Sequence, residues 1–229
     1  MAILLTGELE NEINELIIAH RKLDIPPPMV AKWNLQIDNK DPIRLLSQSW
    51  VRNAYNYCTR FWGQFDSVGD DYGPGTTDLR STTGNRADIN SPLYVKSDAM
   101  GGGFGNGYMG ATGDASRGIV VGTGIGAESF ESYSLGSLIT HGVGSGQVSY
   151  SDTDIPVLSW DGINDKFVCT YTRRFLNNSG DTITINEIGL ISHLGNNPYL
   201  FARDVLSPAI DLLDTQQLTV DYTLEFPYP

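Results

Sequence analysis

Hydrophobic and polar positions change period several times along the 229 residues. Leu9, Ile13, Leu16, Ile17 and Leu23 recur at helical spacing on one face. Glu8, Glu10 and Glu12 crowd the first turns and Arg21 and Lys22 the last, the charge order a helix dipole favours. Pro26-Pro27-Pro28 then stops the helix and forces an extended connector. A helix placed before a triple proline has two readings. It covers a sheet of its own domain, or it docks onto a partner or onto copies of itself. Leu9, Ile13, Leu16, Ile17 and His20 are the interface candidates of the second reading.

Beyond the prolines, Trp33, Leu35 and Ile37 alternate with polar residues, the period of a half-buried strand. Asp41-Pro42 marks a turn. A second helical stretch follows, with Ser47 or Ser49 as N-cap. Its Val51, Ala54, Cys58, Phe61, Trp62 and Phe65 share a face that reads as core. Residues 66–118 read as long loops, with a strand from Thr76 to Asn85. From Gly101 to Gly126, 11 of 26 residues are glycine, too few side chains to make a core. A neighbouring subunit would order such loops, and Phe104 and Tyr108 within them are further interface candidates.

Strands dominate after Ile119. Ile119–Val121, Val148–Ser151 and Phe167–Phe175 read as strands. Asn177-Asn178-Ser179-Gly180 reads as a hairpin turn needing positive φ, with Thr182–Ile191 as the return strand. Ile183 and Ile185 share one parity, Ile188 and Leu190 the other. That change predicts a β-bulge near Asn186-Glu187. Leu218, Val220, Tyr222, Leu224 and Phe226 alternate with polar residues, and Pro227 and Pro229 would close that strand at a sheet edge. The pattern predicts a mainly β fold. It is an antiparallel β-sandwich, jelly-roll or immunoglobulin-like, with an N-terminal amphipathic helix and one packed aromatic-rich helix. Residues 1–28 would be an attachment or oligomerisation segment and 29–229 a single domain.

Composition narrows the function. The formal net charge is −12, and residues 119–229 hold 4 basic against 13 acidic groups, so DNA phosphates would be repelled. No apolar run reaches the roughly 20 residues of a membrane span. MAILLTGELENE lacks the basic and long apolar regions of a signal peptide. Cys58 and Cys169 do not make a disulfide framework. They read as buried free thiols of a chain folding in a reducing cytoplasm.

Catalytic and cofactor signals are weak. Gly105-Asn106-Gly107-Tyr108-Met109-Gly110 matches a dinucleotide pattern formally but lacks its strand–turn–helix context. There is no P-loop and no nucleophile elbow. His20, His141 and His193 show no metal-ligand spacing. Asp152 with Asp154, or Asp161 with Asp165, offers carboxylates for calcium, but Asp161-Gly162 reads more simply as a turn. Glu187 lies inside an apolar strand. It faces outward at the bulge, or is buried and paired with Arg173, Arg174 or Arg203. Arg173 and Arg174 are adjacent on a strand and point to opposite faces. The sequon Asn177-Asn178-Ser179 is ignored without a signal peptide. No catalytic residue, cofactor or metal is assigned.

Three stretches together resemble structural proteins of tailed bacteriophages. The first is Ser49-Trp50-Val51-Arg52-Asn53-Ala54-Tyr55-Asn56. The second is Gly118-Ile119-Val120-Val121-Gly122-Thr123-Gly124, followed by Glu128 to Leu135. The third is Arg173 to Gly180, Ile183 to Leu190 and Leu200-Phe201-Ala202-Arg203-Asp204. The resemblance covers roughly residues 30–226. It implies a non-enzymatic virion component assembled in the host cytoplasm, such as a capsid decoration protein, head fibre, or tail or baseplate accessory. Its implied partners are other virion proteins and copies of itself, not nucleic acid or membrane. The competing expectations are a carbohydrate- or receptor-binding module, using Trp33, Trp50, Trp160, Tyr72 or Tyr108, and a carboxylate-based glycan hydrolase.

Overall fold

The computed structural model describes residues 3–23, 28–61, 78–87, 107–194 and 197–228. Phe104, Tyr72, Trp62 and Phe65 lie outside them. The elements in chain order are β1 (Ile3–Leu4), α1 (Gly7–Lys22), β2 (Val30–Ile37), β3 (Ile43–Leu46), α2 (Arg52–Phe61), β4 (Leu79–Arg80) and β5 (Arg86–Ala87). Then follow β6 (Gly118–Gly122), β7 (Ser149–Tyr150), β8 (Val157–Asp161), β9 (Lys166–Leu176), β10 (Ile183–Leu194), β11 (Asn197–Leu212) and β12 (Gln217–Pro227). The fold is mainly β, with two helices and antiparallel sheets.

The alternating residues at 30–37 and 217–227 pair with each other, and β12 also pairs with β9. The larger sheet runs β1–β3–β2–β12–β9, with β7 and β8 sharing the far side of β9. A three-stranded sheet runs β11–β10–β6, and β4 with β5 forms a small hairpin. One buried cluster joins both larger sheets, with Trp33, Leu35, Val220 and Tyr222 meeting Ile119, Ile185, Ile188 and Ile210. The Trp33 and Tyr222 rings lie 4.1 Å apart, centroid to centroid.

Two strand expectations change. β12 is not an edge strand. It lies between β2 and β9, and Pro227 ends it where no further ladder is needed. The Asn177–Gly180 turn is not a hairpin, because β9 and β10 belong to different sheets. Gly180 does take φ +81°. Asn177 explains the crossover. Its side-chain amide donates to the Asp181 and Leu212 carbonyls. Its backbone bonds to Thr215 and Gln216. The β9–β10 connection is thereby zipped to the β11–β12 connection, and both carry the chain from one sheet to the other. Asn177 is fully buried, so its sequon is used structurally.

The register of β10 on β11 shifts between Ile185 and Glu187, at the place the parity change predicts. From Glu187 to Ser192 every residue of β10 is buried, because the chain at 123–139 packs on the face away from the larger sheet.

α2 departs from the expected face at Cys58, while its Phe61 side chain lies outside what is described. Asn53 donates to the Arg80 and Leu200 carbonyls and accepts from Arg80 N, and Asn56 donates to Asp78 O. Those amides turn Cys58 outward, so it is an exposed free thiol, while Cys169 is half-buried. Val51 and Ala54 are buried as expected. Ser47 and Ser49 lie upstream of the first turn, and both hydroxyls are taken by carboxylates instead of capping. Leu79–Ala87 supplies the short hairpin, turning at Gly84 with φ +87°.

Candidate interaction surface

α1 is fastened to its own sheet. Thr6 caps it by accepting from Leu9 N at 3.2 Å. Leu45 faces the core beside Trp33, so its neighbour Arg44 points to the outer face, and there it binds Glu10 of α1. Eleven residues later Arg21 donates to the carbonyls of Asn164, Asp165 and Tyr228. Eleven residues of helix rise about 16 Å. The three strand steps from β3 to β9 span about 14 Å. The helix therefore lies across the outer face of the larger sheet. Of the interface candidates, Ile17 is buried, Leu9, Ile13 and His20 are half-buried, and Leu16 is exposed. His20 Nδ1 lies 2.8 Å from the Leu16 carbonyl within its own helix. Tyr108 is held inside. Its ring packs edge-on against Tyr171 and Phe201, and burial raises its hydroxyl pKa.

Buried charges are held by the backbone. Arg173 faces the core and is fully buried, while Arg174 faces out and grips Asp154 with two bonds of 2.8 Å. All five Arg173 N–H groups donate to carbonyls: Ser151, Arg117, Ile119, Ala111 and Asp114, at 2.6–3.0 Å. Burial lowers its pKa to about 10. This clamp ties the chain at 111–119 to β9. Gly110 is required there, since a Cβ would sit 2.6 Å from Arg117 O and 2.8 Å from the guanidinium.

Glu187 is buried and its partner is Arg203, at 2.7 Å. It also accepts from the backbone N–H of Gly124, Gly136 and Ser137. Arg203 gives its other donors to the carbonyls of Gly126 and Ala127. One residue on, Asp204 accepts from Trp33 Nε1 at 2.7 Å, Ser47 Oγ at 2.6 Å and Gln48 N at 3.1 Å. Burial raises its pKa against those three bonds.

The candidate chemical groups are engaged in the same way. Asp152 accepts from Thr112, and Asp161 accepts from Ile163 N and Asn164 in the turn after β8. Among the described residues no group of three or more His, Cys, Asp or Glu is placed to hold a metal ion. Ser116, His193 and Asp114 come together, but in the wrong order for nucleophile activation. Arg117 donates to His193 Nδ1 at 2.8 Å, so Nε2 carries the proton and points it at Ser116. Burial and Arg117 both lower the His193 pKa, which keeps the ring neutral. A general base would need the opposite tautomer.

The tryptophans separate clearly. Trp33 is fully buried, which removes it from the sugar-stacking candidates. Trp50 is half-buried and donates to Tyr222 Oη at 2.8 Å, beside a shallow groove of about 310 Å³ lined by Met29, Ser47, Tyr55 and Cys58. Trp160 is 48 % exposed. It sits on β8, which sequence reading missed, because Pro156-Val157-Leu158-Ser159-Trp160 shows no clean alternation. Leu158 and Trp160 pair with Cys169 and Phe167 of β9, and Phe167 pairs with Phe226 of β12. These residues continue the core-facing side of the larger sheet. Along β12, Leu218, Val220 and Tyr222 are buried, but Phe226 is 46 % exposed; along β9, Phe175 is buried, but Phe167 is 58 % exposed. Among the described residues an apolar face of joined aromatic side chains is left open here, the kind of patch that marks an interaction site.

No family model, curated protein or solved structure matches this chain. No helix among the described residues is long and apolar enough to cross a membrane.

Proposed function

We propose that the chain is a non-enzymatic structural component of a tailed-bacteriophage virion. It acts as an external accessory, a capsid decoration protein or a tail or baseplate adaptor, through contacts with other virion proteins. The observation that carries this reading is the open aromatic corner of β8, β9 and β12 on a chain whose buried charges are bound to its own backbone. A surface of that kind suits a protein contact. The residues behind the phage resemblance do structural work. Trp50, Asn53, Arg173, Asn177, Glu187, Arg203 and Asp204 all hydrogen-bond between elements. Two sheets around one core, joined by paired crossovers, support the antiparallel β-sandwich, jelly-roll or immunoglobulin-like.

Trp160 is the feature that favours a carbohydrate-binding module. Its neighbours Phe167 and Tyr228 lie at 62° and 74° to it, so the rings make a ridged surface, not a flat shelf for a sugar. The test is composition of purified particles from phage-infected cells by mass spectrometry, with antibody labelling in the electron microscope. The protein is expected at fixed stoichiometry on the particle exterior. Its absence from purified virions, or saturable binding on a glycan array, overturns the reading.

A further inference from the structure

We infer that the aromatic corner is a homotypic contact, covered by the same corner of a second copy of this chain around a two-fold axis. This deepens the self-association within the virion reading above. Three observations choose the occupant.

The first is area. Leu158 is 71 % exposed, Phe167 58 % and Tyr228 65 %, with Trp160 and Phe226 near half. Aromatic side chains carry roughly 150–250 Å² each, so these four half-exposed rings with Leu158 offer on the order of 500–600 Å². A standard interface takes about 800 Å² from each partner.

The second is charge. The chain is strongly acidic, and two copies can approach closely only through a face without uncompensated negative charge. This corner is such a face. The positions that share it, Leu158, Trp160, Phe167, Cys169, Leu224 and Phe226, carry no charge, while Glu225, bound by Lys32 at 2.9 Å and Lys166 at 3.0 Å, alternates onto the opposite face of the sheet. No charge on this face selects a partner of opposite sign, and an apolar face of this composition complements itself.

The third is the edge. Among the described residues β8 pairs only with β9, so its outer N–H and C=O groups form an open edge. β1 is an edge of two residues, and the free sides of β6 and β11 are bridged by Leu138 and Trp50. β8 is thus the apolar edge with no such protection. A second copy seated on the corner covers it.

Sedimentation of the full chain at micromolar concentration tests this. The expected result is a dimer. Trp160→Lys should raise the dissociation constant at least about thirtyfold, with Leu158→Lys as an independent second variant. Both side chains are exposed in the monomer, so circular dichroism should be unchanged. Leu16→Lys, on the exposed face of α1, should leave the dimer intact. A monomeric wild-type chain overturns the inference, as does a dimer unaffected by both corner variants. A monomeric chain that still copurifies with virions overturns this contact and leaves the virion reading standing.

Discussion

Replacing Glu187 by glutamine is an isosteric change that the surroundings cannot absorb. Oε1 accepts from Gly124 N at 3.0 Å and Ser137 N at 2.8 Å, and Oε2 accepts from Gly136 N at 3.0 Å and Arg203 Nε at 2.7 Å. Four donors converge on two oxygens. A glutamine amide has one oxygen and one NH₂ group, so in either orientation its NH₂ faces two donors. Two hydrogen bonds to a charged acceptor are lost, at about 1.5–3 kcal/mol each. The buried Arg203 also loses its counter-charge, a loss worth about 3–5 kcal/mol in comparable pairs, and the two costs overlap. The expected destabilisation is about 4 kcal/mol, a large share of the roughly 5–15 kcal/mol of a typical domain. For a chain of this size that lowers the melting temperature by roughly 8–16 °C. Urea unfolding followed by tryptophan fluorescence measures it. Arg203→Met and the double variant complete the cycle, and the double should cost far less than the sum of the singles. A glutamine variant within about 1 kcal/mol of wild type would refute the four-donor geometry.

Arg173→Lys keeps the charge but supplies three donors in place of five. It leaves at least two of the five carbonyls unserved and should cost about 2–4 kcal/mol in urea unfolding. Gly110→Ala places a Cβ 2.6 Å from Arg117 O, and should destabilise by about 1–3 kcal/mol, read as a lower melting temperature. Asp204 has its pKa raised in the fold, so its favourable contribution is complete below the unfolded carboxylate range and is lost as pH rises through the folded value. Asp204→Asn lacks that dependence. Its deficit against wild type should be largest near pH ~3.5 and shrink toward pH ~7, and a deficit that grows with pH would contradict the burial argument.

The strands with clean alternation, β2, β9 and β12, were legible because one face is core and the other polar. The bulge at Glu187 was legible from a change of parity in the isoleucines. The strand at Thr182–Ile191 was placed, and β10 carries it on to Leu194. β8 was missed because it is apolar but half uncovered, so it does not alternate. α2 was placed correctly and Val51 and Ala54 are buried as read, but Cys58 is exposed and Asn53 and Asn56 are buried instead, because the two amides bond to the backbone of Asp78, Arg80 and Leu200. Hydropathy counts asparagine as polar and cannot register those partners. Glu187 had been narrowed to three arginines, but only the pairing of β10 with β11 brings Arg203 beside it.

The buried ions serve the fold and not the proposed contact. Arg173 donates to five carbonyls of the chain at 107–119 and of Ser151, and Glu187 collects three backbone N–H groups from 124–137. Each uses one ion to order a long glycine-rich segment that has few apolar side chains of its own. That solves a specific problem, since such segments cannot be held by hydrophobic burial. The aromatic corner is under a different constraint. Any apolar set of matching shape would cover it, so its residues carry no motif. The buried ions and the positions proposed to make the contact are therefore separate sets, and Trp160→Lys should disturb the second while leaving the first untouched.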